Sequence, residues 1–168
     1  MDVSQLEFHS PTMGILDLAG VVREIVRFVE KDPQEFYEIA VGTDSEQNLN
    51  EVDFIRAIVC HRSHQGGIYF WNRLLVPKKM VLRERIYQEA TLSLELAEIL
   101  LEQMHLGELT KIQKNNGHVN FVIHVDIGPV GPTREMIAEI TGMIRGSGYE
   151  VKTKPEAYGA SNVADRYT

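Results

Sequence analysis

Two spacings of hydrophobic residues along the chain predict alternating helices and strands. Between Asp17 and Glu30, apolar residues recur at helical spacing, Asp17 occupies the N-cap position, and Asp32-Pro33 ends the pattern. A longer helical pattern runs from Val81 to His105. Two shorter helices are predicted, one from Pro132 to Gly146 or Gly148 and one over Ser161 to Tyr167.

Short runs rich in β-branched and aromatic residues predict the strands. They are Phe36 to Thr43, Asp53 to His61, Ile68 to Val76, Val119 to Val125 and Tyr149 to Lys154. Between the second and third runs, Gln65-Gly66-Gly67 indicates a hairpin. The fourth and fifth runs are each preceded by a helical pattern, which favours crossover connections between parallel strands.

This order of elements predicts one α/β domain over residues 1–168. We expect a mixed five-stranded sheet, made of a three-stranded antiparallel meander plus two parallel strands and flanked by helices. The first, fourth and fifth predicted strands would be parallel, and the hairpin strands would extend one edge. Residues 1–33 are expected to form an N-terminal helical extension packed on this domain.

Composition and charge narrow the class of protein. The 43% hydrophobic and 24% charged residues are typical of a globular protein, and no apolar run approaches the length of a membrane span. No signal peptide is visible, and the single Cys60 excludes an internal disulfide. We therefore expect a cytoplasmic protein that contacts no membrane. The net charge of −7 argues against a protein that coats nucleic acid by bulk electrostatics. Metal ions held by carboxylates would, however, add positive charge that this count omits.

Two aspartates follow predicted strands. Asp44 comes after the first strand and Asp126 after the fourth. If these strands are parallel neighbours, both carboxylates emerge at the same edge of the sheet, on chains about 4.8 Å apart. Ligand sites of α/β sheets lie at this edge. The alternative is that each aspartate only opens a turn, with Ser45 or Gly128 as its partner.

Two further acids lie on predicted helices. At about 100° per residue, Glu89 falls on the flank of the apolar arc of the long helix, whereas Glu95 points away from it. A half-buried glutamate is costly unless it is paired or binds a cation, and a pair with Arg85 is the alternative. Asp165 lies in the last helical segment, where a capping box with Asn162 is the alternative.

Four carboxylates that meet at one sheet edge repel one another, and divalent cations remove that repulsion. Oxygen ligands favour Mg²⁺ or Mn²⁺ over zinc. Two such ions, about 3.5–4 Å apart, form the arrangement that cleaves phosphodiesters by in-line displacement. If the four acids converge, the sequence therefore predicts a two-ion site of Asp44, Glu89, Asp126 and Asp165.

Basic residues offer contacts to a nucleic-acid backbone. The densest cluster, at the start of the long helix, consists of Lys78, Lys79, Arg83 and Arg85. A solvated helix start is equally compatible with this cluster. Arg134 lies in the first turn of a predicted helix whose free N–H groups favour a phosphate, and a surface ion pair with Glu135 or Asp126 is the alternative. Lys154 and Tyr158 flank the last acid and are assigned only a supporting role.

The chain resembles the YkuK-like family of bacterial proteins, which is assigned to the ribonuclease-H-like superfamily. The resemblance is carried by FHSPTMG near the start, AVGTDS at 40–45, TLSLELAE at 91–98, IHVDIG at 123–128, GPTRE at 131–135, and KPEAYGASNVADRYT at the end. That superfamily places acids after strand one, in the helix after strand three, after strand four and in a C-terminal helix. The resemblance implies that Asp44 and Asp126 bind both metals and that Glu89 and Asp165 each complete one coordination shell.

The sequence departs from familiar ribonucleases H because a helix precedes strand one and Glu89 lies further from its helix start. Our first hypothesis is a metal-dependent nuclease acting on RNA, DNA or a hybrid. Two alternatives remain, a non-catalytic module that binds nucleic acid or a protein, and a phosphohydrolase of small nucleotides. His124 is interpreted as a core histidine, with a proton-shuttle role as the alternative.

Overall fold

The computed structural model describes residues 6–107, 118–157 and 159–168. Tyr158 and the polar segment at 111–117 fall outside the described residues. The strands within these ranges are β1 (Glu7–Ser10), β2 (Gly14–Asp17), β3 (Phe36–Gln47), β4 (Val52–Arg62), β5 (Gly67–Val76), β6 (His118–His124) and β7 (Glu150–Lys152). The helices are α1 (Leu18–Lys31), α2 (Leu82–Gly107), α3 (Ile137–Gly146), which a 3₁₀ turn precedes at Arg134–Met136, and α4 (Gly159–Asp165).

All the strands form one mixed sheet with the order β2-β1-β5-β4-β3-β6-β7. The predicted α/β architecture is confirmed, because β3, β4 and β5 form an antiparallel meander while β6 and β7 run parallel to β3. The hairpin between β4 and β5 turns at Gly66, whose φ of 81° favours glycine. Among the described residues, no helix combines the length and apolar character needed to cross a bilayer.

The N-terminal segment differs from the prediction. Residues 1–33 were expected to be only helical, but β1 and β2 form a hairpin before α1, and β1 joins β5 through His9 and Trp71. The sheet is therefore two strands wider than the sequence predicts. Each of these strands has four residues, too few for an alternating pattern to stand out. Helix α1 matches the prediction, and Asp17 caps it by accepting a 2.7 Å hydrogen bond from the Gly20 N–H.

The helices cover both faces of the sheet. Side chains of β3 alternate, so that Ile39 and Val41 pack in the cluster that contains α1 and α2, while Ala40 packs on α4. Helix α3 packs against α2 and β6 in a further apolar cluster. The face under α4 is lined by alanines, which permit a close approach of the helix to the strands. The acids of α2 and α4 therefore reach β3 from opposite sides.

The buried residue His124 fastens the start of α4 to the sheet. Its ring is 2% exposed, and Nδ1 accepts a 3.3 Å hydrogen bond from the Ala160 N–H. The other ring nitrogen, Nε2, lies 3.5 Å from Glu38 Oε1. The hydrogen bond from His124, together with the neighbouring Lys152 ammonium, lowers the pKa of Glu38 to about 2. His124 is thus a core histidine, as the first interpretation held.

We expect Gly42→Ala to displace α4 and to destabilise the fold. A Cβ at Gly42 would lie 2.9 Å from the Ala160 Cβ and 3.0 Å from the His124 carbonyl oxygen, so the helix must shift. Overpacking of this kind costs about 1–3 kcal/mol. Guanidinium unfolding measures the loss, and Gly142→Ala is the control because a Cβ there meets no atom within 4 Å. Equal stability of the two variants would contradict this account of α4.

Candidate active site

The pairing register aligns three charged residues across the parallel strands. Gly42 pairs with His124, and His124 pairs with Lys152. Two residues further along each chain, Asp44, Asp126 and Lys154 therefore stand side by side, with about 4.8 Å between neighbouring chains. The backbone contacts continue there, since the Lys154 N–H donates to the Ile127 carbonyl at 2.9 Å. Strand β3 continues to Gln47, so Asp44 lies within the strand rather than after it as predicted.

A cleft of about 300 Å³ opens at this edge of the sheet. Its charged and polar lining comprises Asp44, Ser45, Arg85, Glu89, Asp126, Thr133 and Lys154. Leu82, Ile86, Val130 and Pro132 supply the apolar part of the lining. The structure thus brings three of the four predicted acids into one cleft, and the alternative that the aspartates only open turns does not hold for Asp44.

Lys154 neutralises one of the acids. Its ammonium Nζ lies 2.7 Å from Asp126 Oδ1, and its side chain is 57% exposed. The hydrogen bond to Asp126 raises the pKa of Lys154, and the charges of Asp44 and Asp165 add to that effect. Asp126 thus pairs with this lysine, not with Arg134 as one alternative held, and the lysine has a larger role than the sequence predicted.

The surroundings of Asp44 disfavour its anionic form. Burial, together with the negative charges of Asp126 and Asp165, raises its pKa to about 6, while a hydrogen bond from the Ser45 backbone N–H opposes this rise. The two named aspartates act on Asp44 only because all three lie close together. A carboxylate placed this way gains strongly from a nearby cation.

Glu89 is buried, as its position on the helix predicts, with only 6% of its surface exposed. The Ser45 hydroxyl donates a 2.6 Å hydrogen bond to Glu89 Oε1, and Arg85 Nη1 donates a 2.9 Å hydrogen bond to the Ser45 carbonyl. The alternative interpretation was a direct pair between Glu89 and Arg85. In the structure Ser45 lies between these two residues and contacts both. Burial raises the pKa of Glu89 to about 8, so the side chain is mostly protonated at neutral pH. Glu95 is exposed, as predicted.

Asp165 reaches the site from the opposite face. It is the exposed last residue of α4, and it acts electrostatically on Asp44 and Lys154. Asn162 lies inside α4 rather than before it, so the alternative of a capping box that contains Asp165 is wrong. The C-terminal helix thus places this acid beside the cleft formed by the other three.

The donor set fits a hard divalent cation, because all four acids offer oxygen ligands and Asp44 lacks a cationic partner of its own. Within residues 6–107, 118–157 and 159–168, however, no group of three or more acidic, histidine or cysteine side chains is arranged to hold a metal ion. Lys154 pairs with Asp126, and Ser45 donates a hydrogen bond to the buried Glu89. A cation at this site would therefore compete with Lys154 for Asp126 and would need Glu89 as an anion.

The predicted basic cluster lies mainly on the surface. Arg83 pairs with Glu139 at 2.7 Å, Lys78 lies 3.9 Å from Glu84, and Lys79 is exposed. These contacts match a solvated helix start. Arg85 is the exception, because it lines the cleft and holds Ser45.

Arg134 also differs from its predicted setting. It is exposed and lies in the 3₁₀ turn that precedes α3, so it does not occupy the first turn of an α-helix. Ser45 and Thr133, by contrast, line the cleft although the sequence analysis gave them no site role. For Ser45 the only signal was its position directly after Asp44.

The mixed sheet with helices on both faces is consistent with a ribonuclease-H-like fold. The family model described as Ribonuclease H-like matches residues 20–168, and the chain belongs to this family. The chain is also 32% identical over 166 residues to "Uncharacterized protein YkuK" of Bacillus subtilis (strain 168), with 96% of each chain covered. No solved structure gave a significant match.

Proposed function

We propose that this protein is a metal-dependent nuclease that hydrolyses phosphodiester bonds of RNA, DNA or a hybrid at the cleft. The observation that carries the proposal is the row formed by Asp44 and Asp126 on adjacent parallel strands, which Glu89 and Asp165 flank from opposite faces. Membership of the Ribonuclease H-like family supports it.

Asp44 and Asp126 would hold two Mg²⁺ or Mn²⁺ ions, and Glu89 and Asp165 would each complete one coordination shell. When bound, such a pair of ions supplies an activated water and stabilises the charge on the leaving oxygen. The protein's own residues prepare the site. Arg85 fixes Ser45, and Ser45 fixes the carboxyl group of Glu89 towards the cleft.

Lys154 has a second task in this proposal. Its exposed ammonium rests on Asp126 in the structure described here. If Asp126 held a cation, the Lys154 ammonium would be free beside the site to bind a substrate phosphate, for which a point charge on a flexible stem is suited. The lysine therefore balances the charge of the acids before the substrate arrives.

Incubation of the full chain with labelled single-stranded RNA, single-stranded DNA and an RNA–DNA hybrid tests the proposal. We expect cleavage of at least one polymer with Mg²⁺ or Mn²⁺ and none with EDTA. Asp44→Asn/Asp126→Asn should lower the rate at least about a hundredfold, since even outer-shell partners of a metal contribute about 10–100-fold. Glu95→Gln, an exposed acid of α2, is the control and should cleave like the parent protein. Unchanged cleavage by the double variant would refute the mechanism.

The second candidate function is a non-catalytic module that binds nucleic acid or a protein partner. The ion pair between Lys154 and Asp126 favours it, because this pair neutralises Asp126 without a metal. This candidate predicts that the protein binds no Mn²⁺ and that Asp44→Asn leaves partner binding intact. Calorimetric titration with Mn²⁺ therefore separates the two functions.

A further inference from the structure

Three rings from distant parts of the chain stack beside α4. The centroids of His9 and Trp71 lie 4.7 Å apart, and those of Trp71 and Tyr167 lie 4.2 Å apart with an angle of 17° between the ring planes. His9 is exposed, and Trp71 and Tyr167 are half-buried. These three residues, named here the ring column, present parallel aromatic faces at the surface of the protein.

Hydrogen-bonding groups surround the ring column. The hydroxyls of Tyr69 and Tyr167 lie 3.0 Å apart, and Arg166 Nη1 donates a 3.4 Å hydrogen bond to the Tyr69 hydroxyl. Arg73 Nη2 donates a 2.7 Å hydrogen bond to the Tyr167 carbonyl oxygen. Both arginines are exposed, and the Arg73 side chain keeps 48% of its surface in solvent although it also lies 3.3 Å from Asp53. Positive charge thus lies beside the rings in a chain whose net charge is −7.

The ring column and Asp44 lie on the same face of the sheet, the one that α4 covers, whereas Glu89 reaches the cleft from the other face. Asp44 pairs with Ile55, and Ile55 pairs with Arg73, so Arg73 stands two strands away from the acid, about 10 Å. The end of α4 also links the ring column to the cleft. Asp165 lies beside the cleft, and Tyr167, two residues later, stacks on Trp71. A nucleic-acid strand in contact with the rings would therefore lie close to Asp44 and Asp165.

We propose that the ring column, with Arg73 and Arg166, binds unpaired bases of a single-stranded nucleic acid. Aromatic rings stack on any base, and guanidinium groups contact the phosphates between them. A duplex keeps its bases stacked on one another and offers the rings no free face. The inference rests on the proposed function, because the nucleic-acid strand bound by the rings would be the strand whose phosphodiester is cleaved in the cleft.

Trp71 is the only tryptophan of the chain, so its fluorescence reports on the ring column directly. The full chain is titrated in EDTA with a 15-nucleotide oligothymidylate, an oligouridylate of the same length and a blunt-ended duplex of the same length. We expect both single strands to quench the fluorescence to saturation and the duplex to leave it unchanged. Two arginine contacts predict that log Kobs falls with log salt with a slope of about −1.4, from about −0.7 for each phosphate.

Variants separate binding by the rings from a purely structural role. Tyr167→Ala should weaken binding about tenfold or more, as loss of one stacking ring does, and Tyr167→Phe should bind like the parent protein. If Tyr167→Ala fails to fold, Arg166→Gln carries the test. It should weaken binding and reduce the salt slope by about 0.7, whereas Arg145→Gln, an exposed arginine of α3, should change neither.

Absence of quenching, equal affinity for the duplex, or unchanged binding by folded Tyr167→Ala or by Arg166→Gln would overturn the inference. The proposed function fails by a different result. Because the titration contains EDTA, binding at the rings does not depend on cleavage, and Asp44→Asn/Asp126→Asn should bind the single strands at least as tightly as the parent protein, since it removes two negative charges near the phosphates. A protein that binds single strands but cuts nothing would refute the nuclease and leave the ring column supported.

Discussion

Glu89→Gln is expected to stabilise the metal-free protein at pH 8 by on the order of 4 kcal/mol and to change little at pH 4. The pKa of Glu89 rises from 4.5 to about 8 on folding, chiefly because the side chain is buried. A raised pKa means that the folded state resists ionisation. The stability associated with the protonated form is complete below pH 4.5 and is lost as the pH rises towards 8. Glutamine does not ionise and still accepts the hydrogen bond from Ser45.

Guanidinium unfolding in EDTA between pH 4 and pH 8.5 measures this difference. Glu98→Gln is the matched control, because this acid is exposed on the same helix and its loss should change stability by less than about 0.5 kcal/mol. The stability of Glu89→Gln should still fall as the pH rises, but less than that of the parent protein, since folding also raises the pKa of Asp44 from 3.8 to about 6. If the parent protein and Glu89→Gln lose stability in parallel as the pH rises, the burial of this carboxyl is not what the structure indicates.

Mn²⁺ binding should disappear in Asp44→Asn/Asp126→Asn. We expect calorimetry to find about two ions for each parent chain and no measurable binding to the double variant, because the variant removes the two anionic groups shared by both ions. Binding should strengthen as the pH rises from 6 to 8, since Asp44 and Glu89 must release protons to become ligands.

Lys154→Met should change the affinity for Mn²⁺ in the opposite direction. It removes the cation that competes for Asp126, so Mn²⁺ should bind more tightly, by about tenfold if one charge contributes about 1.4 kcal/mol at this distance. Lys79→Met, which changes an exposed lysine outside the cleft, should bind like the parent protein. Full Mn²⁺ binding by the double aspartate variant would exclude these acids as the metal site.

The acids could be predicted because short-range patterns place them. Asp44 and Asp126 follow apolar runs whose parallel pairing the order of elements implies, and the register then sets them side by side. Helical periodicity predicts that Glu89 is buried and that Glu95 is exposed, and the structure confirms both. These inferences need only the period of each element and the right-handed crossover that joins parallel strands.

The remaining features depend on contacts between distant segments. Lys154 reaches Asp126 because β7 continues beside β6, and Ser45 reaches Glu89 because α2 crosses β3 at that point. Neither contact leaves a mark in local sequence. The ring column has the same origin, since His9 and Tyr167 stand at opposite ends of the chain and meet only on Trp71. The sequence does not predict the N-terminal hairpin because its strands, with four residues each, are too short to show an alternating pattern.

The lengths of the strands also bear on how the protein avoids aggregation. The outermost strands of the described sheet are β2 and β7, with four and three residues, whereas β3, β4 and β5 inside it have 12, 11 and 10. Long strands at an edge offer rows of unpaired N–H and C=O groups to which another chain adds. The outermost strands therefore offer only short rows, so strand addition to β2 or β7 gains few hydrogen bonds. The N-terminal hairpin meets β5 at the pair of His9 and Trp71, and its removal would take away this cover and favour strand addition to the longer β5.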